Sequence, residues 1–378
     1  MKKLFTHAHL VVDGKREYED GALLVEGDRI LDVFYHSFDL KTDEDTETID
    51  LQGSIVMPGF FDTHIHGCFG VDFNKCTEEE LNRASRELKK KGTTSFFMSV
   101  LDCQGLKDRA PFLNEYKGEG SRFLGIHLEG PFLNREYRGA INEKDLRLPD
   151  KDITEDILSS SDRIKQMTVA PELEGIGEVV AILKKNGIRV MCGHSAALKK
   201  DLEAIDYDGF THLFNACRGL HHRDTGPVNV ALDGSDRYVE LICDGIHVDP
   251  SVLKLAYRNI RKDRLIMISD SNHLSGMPDG EYVFEGERCL KKDNACRRIS
   301  DGRLSASVSF MADGLRIMRK AGASLSDLLL MSSLNAYRFY GLDRQFGGLM
   351  KGKYADIVIM NDDLDVKAVY AGGEMWNA

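Results

Sequence analysis

A chain of 378 residues with 42% apolar content can bury a large core, and its length suits one barrel-type domain with a small accessory domain. Its net charge of −11 and pI of about 5.6 argue against general binding of nucleic acid or anionic membranes. An anionic substrate would need a local basic cluster against that background.

The first residues, MKKLFTHAHLVVDG, carry two lysines but no apolar core of signal-peptide length and no small-residue cleavage site. No run approaches the ~18 apolar residues of a membrane span. The eight cysteines include no C-x-x-C pair and several lie in apolar runs, the pattern of reduced thiols. A soluble, cytoplasmic protein is expected. His7 and His9 share an H-x-H spacing in a short N-terminal strand and are expected to be structural or solvated. LLVEGDRILDVF alternates around Gly-Asp, a hairpin signal. KTDEDTETID, residues 41–50, predicts a solvated loop.

From residue 55 the pattern changes. Strand-like runs recur: IVMPGFFDTHIH, TTSFFMSV, RFLGIHLE, MTVAPE, IRVMCGH, GFTHLFN, VELICDGIH and RLIMISD, with helix-like segments between most of them. In TEEELNRASRELKKKG, Thr77 is the expected N-cap, Glu80 completes a capping box, and Gly92 follows the lysines as a stop. IGEVVAILKKNG and PSVLKLAYRNIRKD follow the same logic. Eight strands alternating with helices predict a (β/α)8 TIM-like barrel over residues 55–343. A doubly wound open sheet would need a Gly-rich phosphate turn after its first strand, and none is there. The end of the chain, GGLMKGKYADIVIMNDDLDVKAVYAGGEMW, returns to short strands. Residues 1–54 and 344–378 are therefore expected to form one small β-sandwich domain built from both chain ends.

Barrels of this type carry their chemistry at the C-terminal ends of the strands. Here those ends hold His64 and His66, His127 and Glu129, His194, His212, His247 and Asp270. Period-two alternation points His64 and His66 the same way, into the barrel mouth, and likewise His127 and Glu129. Neutral imidazoles with carboxylates suit Zn first, with Fe, Co or Mn as alternatives. Each histidine alone reads as a hydrogen-bonded core residue; five strands ending in His or Asp at one end read as a metal centre. Asp270 either caps the next segment or acts as general base and acid beside a metal-bound water. Arg218, His221, His222 and Arg223 make a local basic cluster after the sixth strand, either a solvated loop or an anion clamp.

Taken in order, PGFFDTHIHG, GIHLEGPFLN, GHSAA, THLFNA, HHRDTGPV, DGIHVDP, SDS, PDGEY and KGKYADIVIMND resemble the amidohydrolase superfamily, and within it the N-acetylglucosamine-6-phosphate deacetylases, over essentially the whole chain. The resemblance implies removal of an acetyl group from a small amino-sugar phosphate by a metal-dependent homodimer with one or two divalent ions per subunit. It implies that Glu129, His194 and His212 hold the main metal, that His64 and His66 hold a second one bridged by Glu129, and that Asp270 is the catalytic base. It assigns substrate contacts to Ala140, Asn215, Ala216 and His247, phosphate to Arg223 across the dimer interface, and an acyl pocket to Leu304, Ser305 and Ala306.

The chain departs from the family pattern at three points. Ile141 stands where the family has a histidine that touches the acyl carbonyl; the arginine loop reads HRDTGPV; and Ala306 replaces a common glycine. A deacylase of another N-acyl amino sugar or N-acyl amino acid is the alternative these changes leave open. The fourth strand, MTVAPE, has no lysine to carboxylate, which argues against the cyclic-amide hydrolases of the superfamily. A catalytically silent metal-stabilised sugar-phosphate binder would have no need of Asp270.

Overall fold

A computed structural model describes residues 2–38, 40, 44–103 and 105–378. Its centre is a ring of eight parallel strands: β1 (Phe60–Ile65), β2 (Thr93–Val100), β3 (Arg122–Glu129), β4 (Ile164–Val169), β5 (Arg189–Cys192), β6 (Gly209–Phe210), β7 (Tyr238–Ile242) and β8 (Leu265–Ile268). Each pairs in parallel with the next in sequence order. The ring closes between its first and last members. The amide of Asp270 donates to the His64 carbonyl at 2.9 Å, and the amide of Ser269 to the Asp62 carboxylate at 3.2 Å. Burial pushes the Asp62 carboxyl up to about 6, against the pull of its hydrogen bonds to Ser269 and His64.

All eight expected strands are present. β6 is shorter than GFTHLFN suggests, because the chain enters left-handed backbone at His212 (φ 28°), Phe214 (φ 79°) and Ala216 (φ 44°) and leaves the ladder. The helix Glu78–Lys90 starts where expected: the Thr77 hydroxyl caps the amide of Glu80, and the Glu80 carboxylate caps Thr77 in return. Ile176–Lys185 and Pro250–Asn259 are also helical. Among the described residues no helix is long and apolar enough to cross a membrane.

The two chain ends build a separate, mixed sheet of eight strands. Its order runs Glu374–Asn377, Val366–Ala371, Ile357–Met360, Ile55–Pro58, Lys2–Val11, Glu17–Glu26 and Arg29–Phe34. The hairpin of Glu17–Glu26 and Arg29–Phe34 turns at Gly27-Asp28. Ile55–Pro58 lies antiparallel to Ile357–Met360 in this sheet before the chain enters the barrel at Gly59. The acidic stretch 41–50 is not a loop throughout. Thr46–Asp50 pairs in parallel with Lys2–Val11, since β-branched Thr46, Thr48 and Ile49 favour a strand, with Ile49 half-buried opposite Phe5 and Glu47 and Thr48 exposed; residues 41–43 lie outside the described residues.

A three-stranded antiparallel sheet follows β8: Gly280–Phe284, Glu287–Lys292 and Ala295–Arg298. Its turns, Glu285-Gly286 and Asp293-Asn294, have positive φ at both central residues, the turn geometry that matches strand twist. Phe284 at the end of its first strand reaches the barrel mouth.

Candidate active site and metal centre

At the C-terminal end of the barrel four imidazole Nε2 atoms converge on one carboxylate. His212 and His194 lie 2.8 and 2.9 Å from Glu129 Oε1, His66 lies 3.2 Å from Oε2, and His64 lies 3.5 Å from Oε1. Asp270 Oδ1 is 3.2 Å from His66 Nε2 and 3.5 Å from His64 Nε2. All six residues are buried. Two sets of ligand atoms, those of His64, His66 and Asp270 and those of Glu129, His194 and His212, each lie within 4.8 Å of one another.

These residues fit a divalent cation. His64 and His66 present Nε2 atoms only 3.1 Å apart, as do His194 and His212, a crowding of lone pairs that a shared cation resolves. The His194 Nδ1–H donates to the Tyr137 carbonyl at 2.9 Å, which leaves Nε2 unprotonated and facing Glu129. Burial alone would push the His66 imidazole down, but hydrogen bonds to Asp270 and Glu129 outweigh it and lift it to about 9. Burial likewise works to raise Glu129, and the charges of His64 and His194 hold it well below the usual carboxylate range. Glu129 and Asp270 among these imidazoles supply negative charge that a divalent cation would balance.

The backbone is strained where the site needs it. His194 (φ 48°), His212 (φ 28°) and Asp270 (φ 50°) all occupy the left-handed region, at a cost of about 1–3 kcal/mol each that the surrounding barrel absorbs. The chain before His194 is fixed by close packing. A Cβ on Gly193 would lie 2.8 Å from Thr211 Cβ and 2.9 Å from Thr168 Cγ2. The chain after it is pinned by Glu172, which accepts from the Ser195 hydroxyl at 2.7 Å, the Ala196 amide at 2.6 Å and the Asn134 side chain at 2.8 Å.

The amidohydrolase family model matches residues 55–376. The chain belongs to the amidohydrolase family. The family is metal-dependent, and the two buried clusters are where this member can bind metal. Its similarities extend through both sheets. N-acetylglucosamine-6-phosphate deacetylase of Mus musculus is 34% identical over 402 residues, covering 99% of this chain and 95% of the relative. The crystal structure of N-acetylglucosamine-6-phosphate deacetylase from Pasteurella multocida superposes with a TM-score of 0.90 at 28% identity and full coverage of both chains. A mutant of the Mycobacterium smegmatis enzyme in complex with N-acetyl-D-glucosamine-6-phosphate has a TM-score of 0.90 at 28% identity, with 99% of each chain covered.

In this amidohydrolase most of the expected site residues line one cavity of about 170 Å³. His66, Glu129, His194, His212 and Asp270 face it from the metal side; Ala140, Asn215, Ala216, His247, Leu304 and Ala306 form its other walls. Three expected residues lie elsewhere. His64 is fully buried behind His66. Ser305 is fully buried, its hydroxyl 3.8 Å from Cys289 Sγ, under the cavity wall. Arg223 is on an exposed loop with its guanidinium on His222 Nε2 at 2.7 Å. Ile141 lines the cavity and packs with Leu101 and Leu133, so that position offers no hydrogen bond.

His127, read beside Glu129 in sequence, is not among the clustered ligands. Its Nδ1 and Nε2 each meet a hydroxyl, Ser99 and Thr168, at 2.9 Å. Burial and the nearby His64 push its imidazole well below 6.5, so it packs as a neutral ring edge-on to His64. Sequence reading also missed Glu240. This fully buried carboxylate accepts from Thr63 at 3.2 Å and Gln166 at 3.0 Å through Oε1, while its Oε2 lies 3.5 Å from His64 Nδ1. Neither Oε2 nor that Nδ1 has any other partner among the described residues. A carboxylate behind a ligand histidine fixes its tautomer and ring orientation. The signal was a charged residue inside the apolar run VELIC.

Proposed function

We propose that the chain hydrolyses the acetamide of N-acetylglucosamine 6-phosphate to glucosamine 6-phosphate and acetate. The carrying observation is the cavity onto which Asp270 and two clusters of metal-ligating side chains open, within a fold that matches, end to end, a relative whose structure holds that sugar phosphate. Glu129, His194 and His212 would hold one divalent ion, zinc first among candidates, with His64 and His66 offering a second position that Glu129 bridges. A bound cation would lower the pKa of a water and polarise the acyl carbonyl.

The chain's own groups do the rest. Asp270 takes the proton from the attacking water. It returns that proton to the amine nitrogen as the C–N bond breaks, so one carboxylate serves as base and then acid. Burial tends to raise Asp270, but the His64 charge and the His66 hydrogen bond keep it below 3.8, ready to accept. Phe284, Leu101 and Ile141 keep water from the acyl side of the cavity. Asn215, Ala216 and His247 contact the sugar, with His247 held by the Asp244 carboxylate at 2.7 Å. Leu304 and Ala306 face the acetyl methyl. We place the chemistry in residues 55–343 and propose a homodimer in the cytoplasm, in which Arg223 reaches the partner's site; eight unpaired cysteines support a reducing compartment.

Acetate release from N-acetylglucosamine 6-phosphate, with metal content measured on the same sample, tests the reading. Turnover with bound metal is expected. Metal-loaded protein that releases no acetate from it, but does so from another N-acyl amino sugar or amino acid, would reassign the substrate and trace the change to Ile141.

A further inference from the structure

Two of the eight cysteines are neighbours in the three-stranded sheet beside the cavity. Cys289 lies on its central strand, Glu287–Lys292, and Cys296 on its third, Ala295–Arg298. The register pairs Cys289 with Arg298 and Lys291 with Cys296, so the two thiols are diagonal neighbours on adjacent strands. Both are on the buried face of the sheet and pack with Leu274, Phe284 and Val308. Burial and the adjoining Cys289 thiol push the Cys296 thiol up to about 12. Neither thiol has a part in the hydrolysis described above.

Each thiol stands beside a different wall of the cavity. Cys289 pairs with Tyr282, in the strand that ends at Phe284. The strand of Cys296 is laddered to the segment that holds Leu304 and Ala306: the Arg298 amide donates to the Arg303 carbonyl at 2.9 Å, and the Ser305 amide to the Cys296 carbonyl at 3.0 Å. That segment is tied in turn to the base. Asn272 Nδ2 donates to the Ser305 carbonyl at 3.0 Å, and the Ser307 amide to the Asp270 carbonyl at 2.9 Å. Phe284, Leu304, Ala306 and Asp270 all line the cavity. Diagonal neighbours in an antiparallel sheet have Cα atoms roughly 7–8 Å apart, whereas a disulfide needs roughly 4.4–6.8 Å. A bond between the two sulfurs therefore draws their strands together and moves the cavity walls with them. The sheet is a thin cover, with Val283 and Leu290 exposed on its outer face. With so few buried apolar side chains it opens locally at low cost, which admits a small oxidant to thiols that are inert while buried.

We propose that Cys289 and Cys296 form a reversible disulfide under peroxide, and that this bond slows the enzyme by shifting Phe284 against Leu304 and Ala306. One sulfur attacks an oxygen of hydrogen peroxide, breaks the O–O bond and becomes a sulfenic acid as water leaves. The other sulfur then displaces the sulfenic hydroxyl as a second water. The two thiol protons leave in those waters, and the two electrons lost by the sulfurs reduce the peroxide. A dithiol reductant reverses the bond by exchange. Bond formation is independent of the substrate; its effect on turnover rests on the deacetylase reading above.

The test treats zinc-loaded protein with hydrogen peroxide, alkylates the remaining thiols, digests the chain and weighs the peptides. A Cys289–Cys296 linkage is expected. The oxidised protein should lose about tenfold or more in kcat/KM for acetate release with its metal content unchanged, and recover with dithiothreitol. Amide hydrogen exchange at residues 304–306 should change and recover in step. Cys296→Ala, or Cys289→Ser should the first not fold, should match reduced wild type and ignore peroxide. Absence of the linkage in wild type, a linkage that alters neither exchange nor acetate release, or an equal peroxide response in the variants would overturn the proposal. A reduced protein that releases no acetate, yet shows the linkage and the change in exchange, would instead sink the deacetylase reading and leave the thiol pair standing.

Discussion

His7 and His9 in the end sheet have the same spacing as His64 and His66 in the barrel, and the two pairs live in opposite surroundings. His7 has a side chain 54% exposed, with Nδ1 3.2 Å from Asp50, while His9 Nε2 is 3.4 Å from Glu17. The strand slips register between Phe5 and Ala8, with His7 at φ 51°, and each ring goes to a different surface carboxylate. His64 and His66 are buried, their Nε2 atoms 3.1 Å apart and both within 3.5 Å of Glu129 and Asp270. An H-x-H motif therefore says little until its strand is known to end at a mouth where other strands deliver ligands.

Mutations can sharpen that contrast. Asp270→Asn keeps the shape of the site and removes the base, so acetate release should fall roughly 10²–10⁴-fold while metal stays bound. Retained turnover would end the assignment of Asp270. His66→Asn should strip metal from the His64 side of Glu129, read as lower metal content per subunit and a lower Tm. His7→Asn and His9→Asn should leave metal content unchanged and shift stability by no more than about 0.5 kcal/mol. Equal metal loss from both pairs would refute the distinction between them.

Glu240→Gln acts one shell further out. Its amide would donate where the carboxylate accepted, forcing the proton of His64 onto Nε2. A loss of about 10–100-fold in metal affinity is expected, with little change in the circular dichroism spectrum. Gly193→Ala tests packing rather than ligation: a methyl against Thr168 and Thr211 should cost about 1–3 kcal/mol in denaturant unfolding. An unchanged midpoint would show that the two threonines yield.

The smallest effect is electrostatic. Burial works against the charged forms of both members of the Asp244–His247 pair, but their mutual hydrogen bond lowers the Asp244 carboxyl below 3.8 and raises the His247 imidazole above 6.5. The lowered acid contributes stability above pH 3.8, lost as pH falls through its folded value; the raised base contributes below pH 6.5, lost as pH rises through its folded value. Asp244→Asn should therefore lower Tm most between those two values and less on either side. A uniform Tm loss at all pH values would mean that shape, not charge, holds His247.

The barrel was legible because its strands are continuous apolar runs and because His64, His66, Glu129, His194, His212 and Asp270 each stand at a run's end. The helix at Thr77 announced itself through its capping box. The three-stranded sheet beside the site was missed, although Glu285-Gly286 and Asp293-Asn294 are two-residue turns between alternating segments. Its only fully buried side chains are Cys289 and Cys296, too weak an apolar signal to register as strands. Glu240 left one signal, a charge inside an apolar run, but its role was not legible, because His64 meets it from a distant strand and spacing along the chain does not report that.

The closure of β1 against β8 sets a condition on how the enzyme is made. Ser269 and Asp62 are 207 residues apart, and the same seam holds His64 to Asp270. A ribosome must deliver nearly three quarters of the polypeptide before these groups can meet, so the metal pocket cannot mature on a half-made chain. In refolding, ion uptake and circularisation of the barrel should appear in the same kinetic phase, with the end sheet free to assemble around them at its own pace.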